Sequence, residues 1–414
     1  YYYRVRAVLG AVTSANSNVI EVETKPTTVT WNGTEWSNID GPDATIDAII
    51  AGAYATGTNG EFTSKKLTVT SGSLTVNSGT SITVEDVLEN ELTAAEVVVE
   101  NNANLIQSND VTNIGAITVQ RNSAEIMRLD YTLWSSPVVG QNLLGFSPQT
   151  MANRFYVYNP GNNQYAAIIP STNDFIEGNG YLIRAADNHP TSPTTWAGTF
   201  VGEPNNGIVT VSVANNTYNA VGNPYPSTIS ADDFIGENGL TEALYFWRKT
   251  NNAATSSYAT YTLAGGVGTG SNSGDPLGLV PNGVIQVGQG FIVKSTSTSI
   301  NFDNTMRIGD NNNQFLRSSS DIENNRIRIT ATGDNGFYSQ LLVNYRSEAT
   351  NAFDAALDGR YINDSENAFY TILEQEPFTI QARALPFENT DVVQLGFKTT
   401  TAGTFSIALN EKDG

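Results

Sequence analysis

The sequence predicts an all-β protein: a modular array of a short parallel β-solenoid, a duplicated β-sandwich region and a jelly-roll-like β-sandwich. Three observations carry this. Runs of four to eight residues alternate apolar and polar, carry Val, Ile, Thr, Tyr and Phe, and end in Gly, Asn, Asp or Pro, the signature of strands and their turns. Helical signals are confined to Ala44–Ala51, Ser230–Phe234 and Asn351–Leu357. Short apolar triplets also recur in tandem, as Leu67-Thr-Val, Leu74-Thr-Val and Ile82-Thr-Val, with Ser-Gly corners after the first two.

Residues 1–25 contain two strand patterns, Tyr2–Val8 and Asn18–Glu23. Two strands cannot bury a core of their own, so they are expected to complete a domain that begins upstream. Tyr1, Tyr3, Val5, Ala7, Ser17, Asn18 and Ile20 form a pattern that resembles the last two strands of a fibronectin type III domain.

Over residues 26–125, Trp31-Asn-Gly-Thr-Glu-Trp36 reads as an aromatic hairpin or cap turning at Asn32-Gly33. Short strands follow at Ala48–Ile50, Leu67–Val69, Leu74–Val76, Ile82–Val84, Val97–Val99, Leu105–Ile106 and Ile117–Val119, the first inside one of the helical signals. Triplets seven or eight residues apart suit a solenoid, in which each layer gains stability by stacking on its neighbours. The alternative is a meandering antiparallel sheet.

Residues 126–320 read as a diverged duplication, with copies at 126–214 and 215–320. Tyr131-Thr-Leu-Trp-Ser-Ser-Pro137 answers to Tyr218-Asn-Ala-Val-Gly-Asn-Pro224. Phe155-Tyr-Val-Tyr158 answers to Leu244-Tyr-Phe-Trp247, and Gly178-Asn-Gly-Tyr-Leu-Ile183 to Gly288-Gln-Gly-Phe-Ile-Val293. The Gly-x-Gly pairs lack the third glycine of a nucleotide loop and precede a strand, so they read as turns. Residues 321–414 carry six strand patterns, Asn325–Ala331, Gln340–Tyr345, Phe369–Ile372, Phe378–Ala384, Val392–Lys398 and Thr404–Leu409, and are expected to continue past 414.

Composition bounds the chemistry. Lys and Arg number 21 against 41 Asp and Glu, a net charge of −20, so the chain has no general attraction to nucleic acid or anionic lipid. Cysteine is absent, which excludes thiolate catalysis and zinc–thiolate sites. The single histidine, His189, lies among Pro and small polar residues and reads as an exposed loop residue. Asp232, Asp233, Glu237 and Glu242, and Glu374 with Glu376, are close acidic pairs of the kind a glycosidase uses, but in so acidic a chain such pairs arise by chance. No catalytic group is expected.

Calcium needs only hard oxygen ligands, which makes Asp310, Asp334, Asp354, Asp358 and Asp364, each in an Asn- or Asp-rich turn, the candidate Ca2+ ligands. Trp196 and Tyr225 are the candidate platforms for stacking on a sugar. No apolar run is long enough to cross a membrane as a helix.

Asn223-Pro-Tyr-Pro-Ser227, the Gly-x-Gly-[Tyr/Phe]-[Leu/Ile] strand entries, Gln381-Ala-Arg-Ala-Leu-Pro-Phe387 and Val393-Gln-Leu-Gly-Phe-Lys398 together resemble large proteins of the Bacteroidetes, especially flavobacteria, exported by the type IX secretion system. The resemblance spans roughly residues 27–414. It implies an extracellular or outer-membrane-attached location and contact with the secretion machinery during export. It carries no catalytic residues. The expected role is a non-catalytic adhesin or structural stalk. The alternatives are a carbohydrate-binding accessory region of a polysaccharide-degrading enzyme and a client or component of the secretion and gliding machinery.

Overall fold

The computed structural model describes residues 2–17, 20–21, 25–248, 256–269, 280–309, 325–334, 336–362 and 364–412. Strands dominate throughout. No helix among these residues is long and apolar enough to cross a membrane.

At the start, Tyr2–Tyr3 pairs antiparallel with Ile20–Glu21, and Val8–Leu9 with Val12–Thr13. Val5, Val8, Leu9 and Val12 are exposed, and among the described residues no further layer covers these strand pairs.

The solenoid begins at Thr28–Trp31 and is a three-faced parallel coil. One face stacks Thr28–Trp31, Asp47–Ile50, Leu67–Val69 and Leu88–Asn90. The second stacks Tyr54–Ala55, Leu74–Val76, Val97–Val99 and the start of Ile117–Ile126. The third stacks Phe62–Ser64, Ser81–Val84 and Asn104–Gln107. Paired residues on one face lie 19–23 positions apart. The seven- or eight-residue period of the sequence is therefore the step from face to face, with three steps making a turn.

Each strand puts alternate residues inside. Val29, Ala48, Leu67 and Leu88 form one inward column, and Tyr54, Leu74 and Val97 another. Trp31, Trp36, Tyr54 and Phe62 close the first turn, four of their five ring contacts edge to face and Trp36–Tyr54 tilted, with centroids 4.9–5.6 Å apart. Trp31 bridges Trp36 across Asn32-Gly33, where Gly33 has φ 105°. Asp47–Ile50 is a strand although Ala44–Ala51 has helical propensity. Ala48 and Ile50 alternate inward at a period of two, and stacking on both neighbouring turns overrides local preference.

The strand Ile117–Ile126 ends the coil and starts the duplicated region. Its first residues pair parallel with Val97–Val99, and its length pairs antiparallel with Thr194–Gly202. The first copy adds a four-stranded sheet in the order Tyr131–Trp134, Tyr181–Arg184, Phe155–Asn159, Gln164–Ala167. The second copy repeats that order with Thr217–Gly222, Gly290–Ser295, Leu244–Trp247 and Tyr258–Thr262, then adds Gly265–Val267. Its flanking antiparallel pair is Val209–Ser212 with Ser299–Phe302. Each copy has a short helix after its first sheet strand, Leu143–Phe146 and Ala231–Glu237. The second is capped by Ser230, whose hydroxyl accepts from the Asp233 amide.

The interiors also correspond. Phe146 stacks on Phe200 at 4.3 Å in one copy, and Phe234 packs on Phe302 at 4.9 Å in the other. The first copy shares one hydrophobic core with the solenoid, from Trp31 through Val119 and Trp134 to Phe200 and Val287.

The last six predicted strands all form, within one mixed seven-stranded sheet. Its path runs Gln394–Lys398, Ala368–Leu373, Glu376–Ala384, Tyr338–Arg346, Arg326–Gly333, Phe405–Lys412, with Gly359–Arg360 beside Glu376–Ala384. Leu342, Ile380 and Ala382 pack on Ala264 and Val267 of the second copy. The predicted helix over 351–357 is a turn. There the Asp354 carboxylate accepts from the Thr350 amide and hydroxyl, and local side-chain bonds replace helical ones.

Candidate functional site

The two copies face one another through the outer sides of their matching sheets. Leu133, Leu182, Tyr245, Tyr258 and Ile292 are buried there, with Tyr131, Tyr156, Tyr158, Tyr165, Tyr218 and Trp247 around them. Strand register makes Tyr131 equivalent to Tyr218, Leu133 to Ala220, Tyr158 to Trp247, Tyr165 to Tyr258 and Gly180 to Gly290. Equivalent residues meet. The Tyr165 and Tyr258 hydroxyls lie 3.2 Å apart, and Gly222 abuts Ser135. Gly180 faces Ala220, and Gly290 faces Leu133. Such reciprocity is that of an approximate two-fold axis.

The symmetry breaks at Leu133 and Ala220. Leu133 is buried and presses on Gly290, and Trp247 Nε1 donates to the Tyr131 carbonyl at 3.0 Å. On the other side the smaller Ala220 and Tyr158 stand in their places. A cavity of about 150 Å³ opens there, lined by Tyr158, Pro160, Asn179, Tyr181, Ser212, Ala220 and their neighbours. No charged side chain lines it. Burial pushes the Tyr158 phenol up to about 12 and the Tyr181 phenol above its ordinary value, so both are neutral. Asn219 holds the adjoining loop, accepting from the Ala214 amide and donating to the Ala214 and Thr217 carbonyls.

Of the two predicted sugar platforms, Tyr225 is corrected: it is fully buried. Its hydroxyl donates to the Gly207 carbonyl at 2.6 Å, and the Arg307 guanidinium lies 4.8 Å from its ring centroid. Its aromatic ring belongs to the core of the second copy. Trp196 is half-buried, edge to face against Phe146 at 5.2 Å and Trp134 at 5.8 Å.

His189 is likewise buried rather than on an exposed loop. Its Nε2 lies 2.9 Å from the Ile126 carbonyl and 3.1 Å from that of Thr194. It ties the loop after Arg184 to two strand ends.

The structure brings together two of the candidate calcium ligands, Asp354 and Asp358. Asp358 is fully buried, and its two oxygens accept from the Ala382 and Asp354 amides, both at 2.7 Å. Burial pushes its carboxyl up to about 6. Asp334 accepts from the Thr404 amide, and Asp364 from the Ser257 amide. Asp310 lies outside the described residues. Among the described residues no three His, Cys, Asp or Glu side chains gather as a metal site. The arrangement that forms is a hydrogen-bonded turn clasp.

The acidic pairs are likewise placed by structural bonds. Glu242 meets Arg360 at 3.1 Å and Lys294 at 3.3 Å, and Asp232 accepts from the Tyr261 hydroxyl. Glu374 and Gln375, with φ 52° and 70°, form the two-residue turn between Ala368–Leu373 and Glu376–Ala384.

Sequence reasoning missed the cavity. Its signal was present: the aligned copies put Leu133 opposite Ala220, a loss of three carbons at a position facing a conformationally permissive glycine.

The chain matches, over residues 25–414, the family described as Domain of unknown function (DUF8693), and belongs to it. None of the curated proteins and none of the solved structures matches it.

Proposed function

We propose that this chain is a non-catalytic, rigid region of an exported surface protein, acting as an adhesin or structural stalk at the cell exterior. The observation that carries the reading is mechanical: one hydrophobic core runs from the first turn of the solenoid into the first of the duplicated copies, so these two modules cannot hinge freely. In this reading the copies are small sandwiches, the last sheet is part of a jelly-roll-like layer, and the secretion machinery is a partner during export. Antibodies against the chain, applied to intact cells of the organism that makes it, should label the surface, and protease added outside should remove the signal. Labelling only after cell rupture counts against it.

A second reading, a carbohydrate-binding accessory region, is favoured by the uncharged cavity between the copies. Its test is retention of the chain on immobilised neutral polysaccharides.

A further inference from the structure

The carbohydrate-binding reading can be taken to a particular site and ligand class. We propose that the cavity between the copies, at Ala220, Tyr158 and Asn179, binds one neutral hexopyranose residue. The inference rests on that second reading and assigns its site.

Size bounds the ligand. A cleft of about 150 Å³ is many times the roughly 10–15 Å³ that one ordered water needs, and so has room for one six-membered sugar ring. Electrostatics narrows it further. An ion entering a cleft lined only by neutral groups loses hydration and gains no counter-charge, so charged sugars and free anions are disfavoured. The lining mixes apolar and polar surface, as a pyranose does. Val157, Val213, Pro160 and the Tyr158 ring offer apolar contact, while the Ser212 hydroxyl and the Asn179 amide, which also hydrogen-bonds Tyr181, supply the polar part of the lining. Asn219 is already committed to its own loop and shapes the wall instead of serving the ligand.

The broken symmetry supplies the control. Leucine fills the equivalent position in the first copy, so Ala220→Leu should fill this cavity with a side chain that the architecture already accepts. The probes are the methyl glycosides of glucose, galactose and mannose, with methyl glucuronide as an anionic control, measured by saturation-transfer NMR on the 414-residue chain. The expected result is saturable binding of at least one neutral glycoside, weaker binding of the glucuronide, and a loss of at least about tenfold in Ala220→Leu with the melting temperature kept. Should Ala220→Leu fail to fold, Asn179→Ala decides, with a smaller loss expected.

The site is overturned if no neutral glycoside binds, or if both variants bind as the parent does. Retention on polysaccharide that survives both variants would leave the carbohydrate reading standing and this site rejected. No retention and no glycoside binding would end both.

Discussion

Arg307 shows how a single side chain joins modules that lie far apart in sequence. It is buried, and it donates to the Leu105 carbonyl of the solenoid at 2.6 Å, to Ser227 at 3.0 Å, to Asn206 at 2.8 Å and to Asn304 at 3.0 Å. Burial lowers its pKa to about 9, so it stays charged near neutrality. Arg307→Met keeps bulk but strands these acceptors, and should cost about 1–3 kcal/mol in urea unfolding. Lysine, a compact point donor, should not rescue it. Asp358 acts through the proton instead. Its carboxyl is raised in the folded chain to about 6, so the folded state holds a proton that the unfolded state releases near pH 4. Its contribution is then favourable below about pH 4 and is lost as pH rises to about 6, by up to about 3 kcal/mol. Asp358→Asn should flatten stability across that window relative to the parent, though it sacrifices one of the two amide bonds and lowers stability at acid pH. An unchanged slope would show that Asp358 titrates normally.

Strand spacing and the order of the duplicated motifs were legible in sequence because both depend on local alternation and on turns. The solenoid faces, the two matched sheets and the last six strands follow from them. Burial of particular side chains was not legible, because it depends on which module lies opposite. Tyr225 and His189 sit in loop-like sequence, yet each is covered by residues more than ten positions away: Gly207 and Arg307 for Tyr225, and Ile126 for His189. The cavity was readable only by comparing the copies residue by residue, since neither strand is unusual alone. Within the solenoid, alternation sets a sharp expectation. Leu74 is fully buried between Tyr54 and Val97, whereas its neighbour Thr75 points outward. Leu74→Ala should cost about 2–5 kcal/mol and Thr75→Ala under about 1 kcal/mol. Equal costs would mean the inward column is misassigned.

Across the whole molecule, charge and exposed apolar surface oppose each other. The net charge of −20 keeps copies apart, while the last sheet presents apolar side chains at its rims. Ile407 and Leu409, on the edge strand Phe405–Lys412, are 57% and 62% exposed, and Leu395 and Phe397 on the opposite edge are 44% and 40% exposed. An edge strand offers unpaired main-chain donors and acceptors to another chain. Repulsion between exposed charges fades beyond a Debye length, about 30 Å at 0.01 M salt and about 3 Å at 1 M. Sedimentation velocity should therefore find a monomer at low salt and a growing associated fraction as salt rises. The pair of substitutions Ile407→Lys and Leu409→Lys places charge on the edge and should keep the chain monomeric throughout, with the solenoid and duplicated copies unaffected. Association that persists in this variant would locate the contact elsewhere on the molecule, and association that weakens with salt would make it electrostatic rather than apolar.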